Sequence, residues 1–309
     1  MARNRRKGRS VSGVLLLHKP RGLSSNRSLQ RAKRLFDANK AGHTGNLDRE
    51  AEGLLPVCFG EATKFCQYLL DADKSYEATV RLGIETATGD VEGEVLAQHD
   101  IPGFDEADLQ ALIEKFTGEI EQVPPMYSAL KVDGQPLHRL ARKGIEVERQ
   151  PRRICIYDLA IARIGRDQLG MRVRCSKGTY IRTLAMDIGR NLGCGAHLSS
   201  LKRTASGPFG LDAATSLAEL EALEGIATGA ADGLLLAPDS ILEAMPQAIV
   251  GSDEARALAN GQSVAAADPV GAGLLRLYDS RRRFLGVGEL DDGDRIVPRR
   301  LMQNVNNAA

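Results

Sequence analysis

Three short stretches carry the residues best able to do chemistry. The first runs Ala41-Gly42-His43-Thr44-Gly45-Asn46-Leu47-Asp48 and passes into Glu52-Gly53-Leu54-Leu55-Pro56-Val57-Cys58-Phe59-Gly60. Glycines bracket His43 and Thr44, and a lone aspartate closes the loop ahead of an apolar strand. Glycine lets a backbone turn sharply and come close to a ligand. A carboxylate set by such a loop against an apolar strand is a site candidate, because desolvation tunes its proton affinity. On this pattern alone Asp48 reads equally as a turn residue or a helix cap.

The second stretch is Lys74-Ser75-Tyr76, at the start of a strand, and the third is Cys175-Ser176-Lys177-Gly178-Thr179-Tyr180-Ile181-Arg182, at a strand-to-helix turn. Polar groups at a helix N-terminus form a ready anion or carboxylate site. An arginine there can pair bidentately with Asp48 and hold it ionised. Two tyrosines flanking a carboxylate can sandwich a planar group. Taken singly, Tyr76 is also an ordinary strand residue and Arg182 an ordinary helix charge, and spacing alone does not bring the three stretches together.

The elements that must position them can be read in outline. Residues 12–17 form a short buried strand, stopped at Lys19-Pro20-Arg21-Gly22. Ser24-Ser25-Asn26 caps a helix to about Phe36. A strand at 54–59 and a helix from Gly60 through Leu69 follow the loop. Residues 75–82 alternate as a half-buried strand, with 90–97 as its expected hairpin partner. A helix spans 104–116. The segment 124–153, with Lys131, Arg139, Arg142, Lys143, Arg149, Arg152 and Arg153, reads as an exposed basic excursion. Strands resume at 154–163 and 169–175. A helix runs from Tyr180 to Asn191, a strand lies near 197–205, and Ser216 with Glu219 makes a capping box. Beyond a boundary at 238–246 come a helix at 253–258 and short strands at 274–278, 284–290 and 295–297.

The chain as a whole bounds the function class. Its 309 residues are 43% apolar, enough for one large domain and a small one. The net charge is +1, but basic clusters stand at the N-terminus, at 139–153 and at 172–182. Local basic patches suit a polyanionic partner. Five cysteines without a CxxC pair point to reduced, buried thiols in a cytoplasmic protein and argue against structural zinc. No apolar run approaches the ~20 residues of a membrane helix.

The motifs resemble the TruB family of bacterial tRNA pseudouridine-55 synthases. The resemblance rests on Gly42-His43-Thr44-Gly45-Asn46-Leu47-Asp48, Gly53 to Lys64, Lys19-Pro20-Arg21-Gly22-Leu23-Ser24-Ser25, Pro125-Met126-Tyr127-Ser128-Ala129-Leu130-Lys131 and Cys175 to Arg182, in the family's order. Gly286-Val287-Gly288-Glu289 and Pro298-Arg299-Arg300-Leu301 resemble its small PUA-like RNA-binding domain.

The resemblance implies an α/β catalytic unit at 11–240, on a mixed, largely antiparallel sheet flanked by helices. It implies an RNA-gripping thumb at 124–153, a basic flexible tail at 1–10 and a mostly-β PUA-like domain at 246–306. The implied activity is isomerisation of uridine 55 in the tRNA T loop to pseudouridine, by base flipping, cleavage of the glycosidic bond and rejoining through carbon. Asp48 matches the family's nucleophile and Arg182 its ion-pair partner. Tyr76 matches the tyrosine that stacks on the base and is proposed to help remove the C5 proton. As substrate-binding residues, Tyr180 and Leu201 match pocket positions, His43 matches a histidine that helps occupy space left by displaced nucleotides, and Lys19 matches a lysine packed near the catalytic loop, while Lys131 and Arg142 lie in the thumb that grips RNA. The expected partner is the T arm of tRNA, bound by a cytoplasmic monomer with no membrane and no obligate protein partner. No metal or cofactor is expected, since the isomerisation is redox-neutral.

Two departures set expectations. Arg49-Glu50 follows Asp48 where relatives commonly have proline, which would loosen the loop. Glu50 and Glu52 would raise the pKa of Asp48 unless they point away. Two rival readings are a non-catalytic RNA-folding protein on the same scaffold and an aspartate-dependent glycosidase, which usually needs a carboxylate pair.

Overall fold

The computed structural model describes residues 8–226, 229–266, 273–291 and 294–303. The expected basic tail lies outside the described residues up to Lys7, and so does the end of the PUA-like segment beyond Gln303. Where the chain becomes described it is already fastened. Arg9 bridges to Ala38 through its backbone and pairs with Asp232 through its guanidinium.

Strand β1 (Gly13–Lys19) leads through the Pro20-Arg21-Gly22 turn to α1 (Ser25–Leu35), whose N-cap Ser24 accepts from the Arg27 amide. β2 (Ala41–His43) and β3 (Glu52–Phe59) flank the Asp48 loop. All but the first residue of β3 is buried, which is why it reads as an unbroken apolar run rather than an alternation. A 3-10 turn at Gly60–Phe65 tightens the start of α2 (Cys66–Leu70). β4 (Lys74–Leu82) then crosses the middle of the sheet.

The expected hairpin of 75–82 with 90–97 is corrected. β5 (Ile84–Thr86) pairs instead with β6 (Val95–Gln98) as a separate two-stranded ribbon. Both edges of β4 are taken by strands far away in sequence. α3 (Glu106–Phe116) is held by a capping box from Asp105 and Asp108 and leads into β7 (Gly118–Gln122). The segment expected to be a thumb holds a small hairpin, β8 (Lys131–Val132) with β9 (Gln135–Pro136), and the one-turn α4 (Leu137–Ala141).

β10 (Arg152–Gly165), β11 (Gln168–Cys175), α5 (Ile181–Asn191) and β12 (Ala196–Ser206) follow. β13 (Phe209–Gly210), β14 (Thr215–Ser216) and α6 (Leu217–Ala222), with its Ser216–Glu219 capping box, end this half. The large sheet runs β14-β1-β3-β12-β4-β11-β10-β7, with β13 added to β12 and β2 to β3. Its pairings are antiparallel except β1 with β14 and β3 with β12. α3 and α5 cover one core over β4, β10, β11 and β12, and α1 and α6 cover another over β1 and β3.

The C-terminal part holds β15 (Gln247–Val250), α7 (Ser252–Ala259), β16 (Val264–Ala265), β17 (Gly273–Asp279), β18 (Phe284–Leu290) and β19 (Arg295–Leu301). Its strands form a five-stranded sheet ordered β15-β17-β18-β19-β16. Phe284 and Val287 pack with Phe65, Leu69 and Leu54, so the two sheets share a core. Among the described residues no helix is long and apolar enough to cross a membrane.

One close approach positions the site. β3 and β12 pair over only two rungs, Glu52 with Lys202 and Gly53 with Arg203. Gly53 has φ +109°, and a Cβ there would stand 2.3 Å from the Arg203 carbonyl oxygen. Only glycine allows this contact. We predict that Gly53→Ala lowers stability by about 2 kcal/mol or more, read as a lower urea midpoint, because both strain and a backbone clash must be relieved. An unchanged midpoint would refute the claim.

Candidate active site

Asp48 ends the β2–β3 loop, and the loop is fastened at nearly every carbonyl. The Lys19 ammonium, wholly buried, donates to the carbonyls of Pro20 (2.9 Å), Leu23 (2.6 Å) and Arg49 (3.2 Å). Ser25 Oγ accepts from the Leu47 amide at 2.8 Å and donates to the Leu47 carbonyl at 3.0 Å. Arg203, 1% exposed, donates to the carbonyls of Leu54 (2.7 Å), Gly45 (3.4 Å) and Asn46 (3.5 Å). Arg49 joins in: its Nε donates to the Gly22 carbonyl and its own carbonyl takes the Gly22 amide. The expectation of a loosened loop is therefore corrected. Hydrogen bonds from two buried cations and a serine fix what a proline would have stiffened.

Arg182 stands on the first turn of α5 with its side chain 5% exposed. Its Nε lies 2.9 Å from Asp48 Oδ2, and its Nη2 reaches Asp48 Oδ1 at 3.5 Å. Nη1 donates to the Thr88 carbonyl and Nη2 to the Tyr127 carbonyl, each at 2.8 Å. Asp90 Oδ2 lies 3.7 Å from Nε. The guanidinium thus ties together the catalytic-loop candidate, the turn before β6 and the root of the thumb.

Asp48 keeps 42% of its side-chain surface open to the cleft, yet protein surrounds it on its other sides. Burial pushes its pKa above the usual carboxylate range; Arg182 pulls it down, and Asp90 pushes it up. Glu50 turns to Arg21 at 3.6 Å, and both Glu50 and Glu52 bear on Lys19. The like charge that presses on Asp48 is therefore Asp90, not the two glutamates expected from the loop sequence. Burial also pushes Lys19 down to about 8, against the raising effect of Asp48.

Asp48, Tyr76, Tyr180, Arg182, Leu201 and Arg142 line one open cleft of about 810 Å³, at the upper end of the range for ligand pockets. Burial raises the Tyr76 and Tyr180 phenols, while Arg203 pulls Tyr76 the other way. Three expected substrate residues stand apart. Lys19 has no surface to offer a ligand and acts on the loop instead. His43 lies outside the cleft lining, its Nδ1 buried without a partner, and burial beside Arg203 lowers its pKa. Lys131 is exposed on the thumb hairpin, away from the cleft.

Arg203, Asp90, Gln122 and Ser25 were not evident from the sequence. Arg203 sits in the polar run Lys202-Arg203-Thr204 of β12, where no alternation marks it as buried, and Asp90 in a Thr-Gly-Asp turn that reads as a loop. For Arg203 the usable signal was Gly53, since a glycine inside a buried strand marks a close backbone approach.

The chain matches the family description "TruB family pseudouridylate synthase (N terminal domain)" over residues 33–181. It matches "tRNA pseudouridylate synthase B C-terminal domain" over 182–243 and "Pseudouridine synthase II TruB, C-terminal" over 246–302. This chain belongs to the TruB family. It is 50% identical to a tRNA pseudouridine synthase B of Chromohalobacter salexigens, over all of both chains. It is 53% identical to the one of Aromatoleum aromaticum, over 98% of this chain and 97% of that one. Among solved structures it resembles a Cbf5-Nop10-Gar1 complex at 27% identity and TM-score 0.69, covering 90% of this chain and 78% of that one. An H/ACA RNP bound to a substrate RNA containing 2'-deoxyuridine shares the fold, with TM-score 0.71 over 95% and 86% of the two chains at 23% identity. The chain is a pseudouridine-forming isomerase, and its relatives act on tRNA.

Removing the like charge should be visible at Asp48 itself. Followed by carbon-13 NMR, the Asp48 carboxyl should titrate above the ordinary 3.8, and Asp90→Asn should move its midpoint to lower pH. An unmoved or higher midpoint in Asp90→Asn would contradict the electrostatic account.

Proposed function

We propose that this chain isomerises uridine 55 in the T loop of tRNA, with Asp48 as the nucleophile. One observation carries this reading: Asp48 is pinned from behind by a buried arginine while its free surface opens into a cleft shared with Tyr76, Tyr180 and Leu201. A uridine in a stacked loop presents no reactive carbon to such a cleft until it is flipped out, at a cost of a few kcal/mol. Stacking on an aromatic face returns about 1–3 kcal/mol per base. Tyr76 therefore offsets much of that cost, with Leu201 and Tyr180 closing the pocket around the base.

Asp48 attacks as a carboxylate, and the glycosidic bond breaks as the covalent link forms. Arg182 keeps the carboxylate ionised against burial and aims it. The freed base turns over and its C5 displaces Asp48 from the ribose carbon, regenerating the carboxylate; C5 then loses its proton and the freed ring nitrogen takes one up. Tyr76, its phenol raised by burial, lines the same cleft as Asp48 and would take part in that proton transfer. His43, beside Arg203 at the start of the loop, would occupy space left by the displaced nucleotides. Arg142 at the cleft edge and Lys131 on the hairpin would hold phosphates, making affinity salt-dependent. The five-stranded C-terminal sheet, docked on the catalytic half, would extend the RNA surface as a PUA-like domain at 246–306, with 11–240 as the catalytic unit.

The glycosidase alternative gains little from Asp90, the carboxylate that presses on Asp48. Asp90 is turned to the Thr88 hydroxyl and the Glu92 amide, accepting from both, so it is not placed to hand a proton to a leaving group.

The test is pseudouridine formation in a tRNA transcript, mapped at nucleotide resolution. We expect product at position 55 with the wild type and at least a thousandfold slower formation with Asp48→Asn, on the order seen when a nucleophile is removed. Full conversion by Asp48→Asn, or product only at other positions, would overturn the assignment.

A further inference from the structure

Gln122 is the last residue of β7, which among the described residues is an edge strand paired with β10 alone, and the thumb departs immediately after it. Its side chain is buried, with the residue 3% exposed. Its Oε1 accepts from the Tyr180 amide at 2.7 Å, and its Nε2 donates to the Tyr180 carbonyl at 3.1 Å. The side-chain amide thus bonds Tyr180 as a neighbouring strand would. Tyr180 is the N-cap of α5, and no side chain caps that helix end. Two residues on is Arg182, whose Nη2 donates to the carbonyl of Tyr127, five residues beyond Gln122. Pro124 and Pro125, both buried, stiffen the chain between. The segment 122–127 is therefore fastened to 180–182 at both ends.

We propose that Gln122 is a positioning residue that keys the root of the thumb to α5 and so sets the Arg182–Asp48 geometry. The proposal rests on the reading of Asp48 as nucleophile and of 124–153 as the RNA-gripping thumb. Its chemistry is specific. A side-chain amide of this length offers a separate acceptor and donor atom to the N–H and C=O of one residue, which neither a carboxylate nor an apolar chain of the same reach does. Methionine fills the space but leaves both Tyr180 groups without their partner. Glutamate keeps the acceptor and sets a carboxylate against the Tyr180 carbonyl. Asparagine keeps the chemistry but falls one methylene short. Misplacement of a reacting group by about 1 Å costs on the order of a hundredfold in rate.

The experiment measures single-turnover pseudouridine formation and tRNA affinity for Gln122→Met, Gln122→Glu and Gln122→Asn beside the wild type, each well below its melting midpoint. Gln122→Asn is the variant to rely on if Gln122→Met does not fold. We expect the rate at saturating enzyme to fall about tenfold to a hundredfold, with Kd for tRNA within about twofold of wild type. Wild-type rates in the variants that fold, or a loss confined to Kd, would overturn the role of Gln122. Either result leaves the Asp48 assignment standing, because that is judged on the wild type and Asp48→Asn.

Discussion

The ion pair between Arg182 and Asp48 is the interaction on which the rest of the structure depends. A guanidinium 5% exposed cannot remain charged in a protein interior without partners in the right places. Arg182 has them: Asp48, the Thr88 carbonyl and the Tyr127 carbonyl, from three separate parts of the chain. Lysine, a compact charge on a flexible stem, could not meet all three with a planar fork. The demands of this one side chain thus fix where the Asp48 loop, the turn before β6 and the start of the 124–153 segment lie relative to α5.

A second pair of buried cations serves the loop rather than its carboxylate. Lys19 and Arg203 hold backbone carbonyls on either side of Asp48, and Ser25 holds Leu47 between them. Backbone bonds of this kind leave the Asp48 side chain free to face the cleft. They also hold the loop at Arg49, whose own carbonyl takes the Lys19 ammonium and the Gly22 amide. The parallel contact of β3 with β12 at Gly53 brings Arg203 within reach, so a single glycine in the sheet supports the geometry of the site.

Much of this was legible in the sequence where the signal was local. The apolar run of β3, the Ser24 cap of α1 and the Ser216–Glu219 capping box all appear as read. Asp48, Tyr76, Tyr180, Arg182 and Leu201 share one cleft, as their resemblance to family motifs implied. What failed was non-local. Alternation over 75–82 shows that a strand exists but not which strands flank it, and β11 and β12 displaced the nearby segment at 90–97. Whether Glu50 and Glu52 press on Asp48 could not be read from the sequence, because closeness in sequence says nothing of where a side chain points. Arg21 and Lys19 draw them away, and Asp90, over forty residues on, takes their place. The resemblance set Lys19 beside the Asp48 loop, but only the structure shows that it is wholly buried and fastens the loop through backbone carbonyls.

The most direct measurement is the single-turnover rate of Arg182→Lys on tRNA, taken alongside its tRNA affinity. Lysine keeps the positive charge but not the fork that meets Asp48 and two carbonyls together. The account predicts near-unchanged affinity and a rate lower by about a hundredfold or more, because aim rather than charge alone makes Asp48 competent. A rate close to wild type would contradict it.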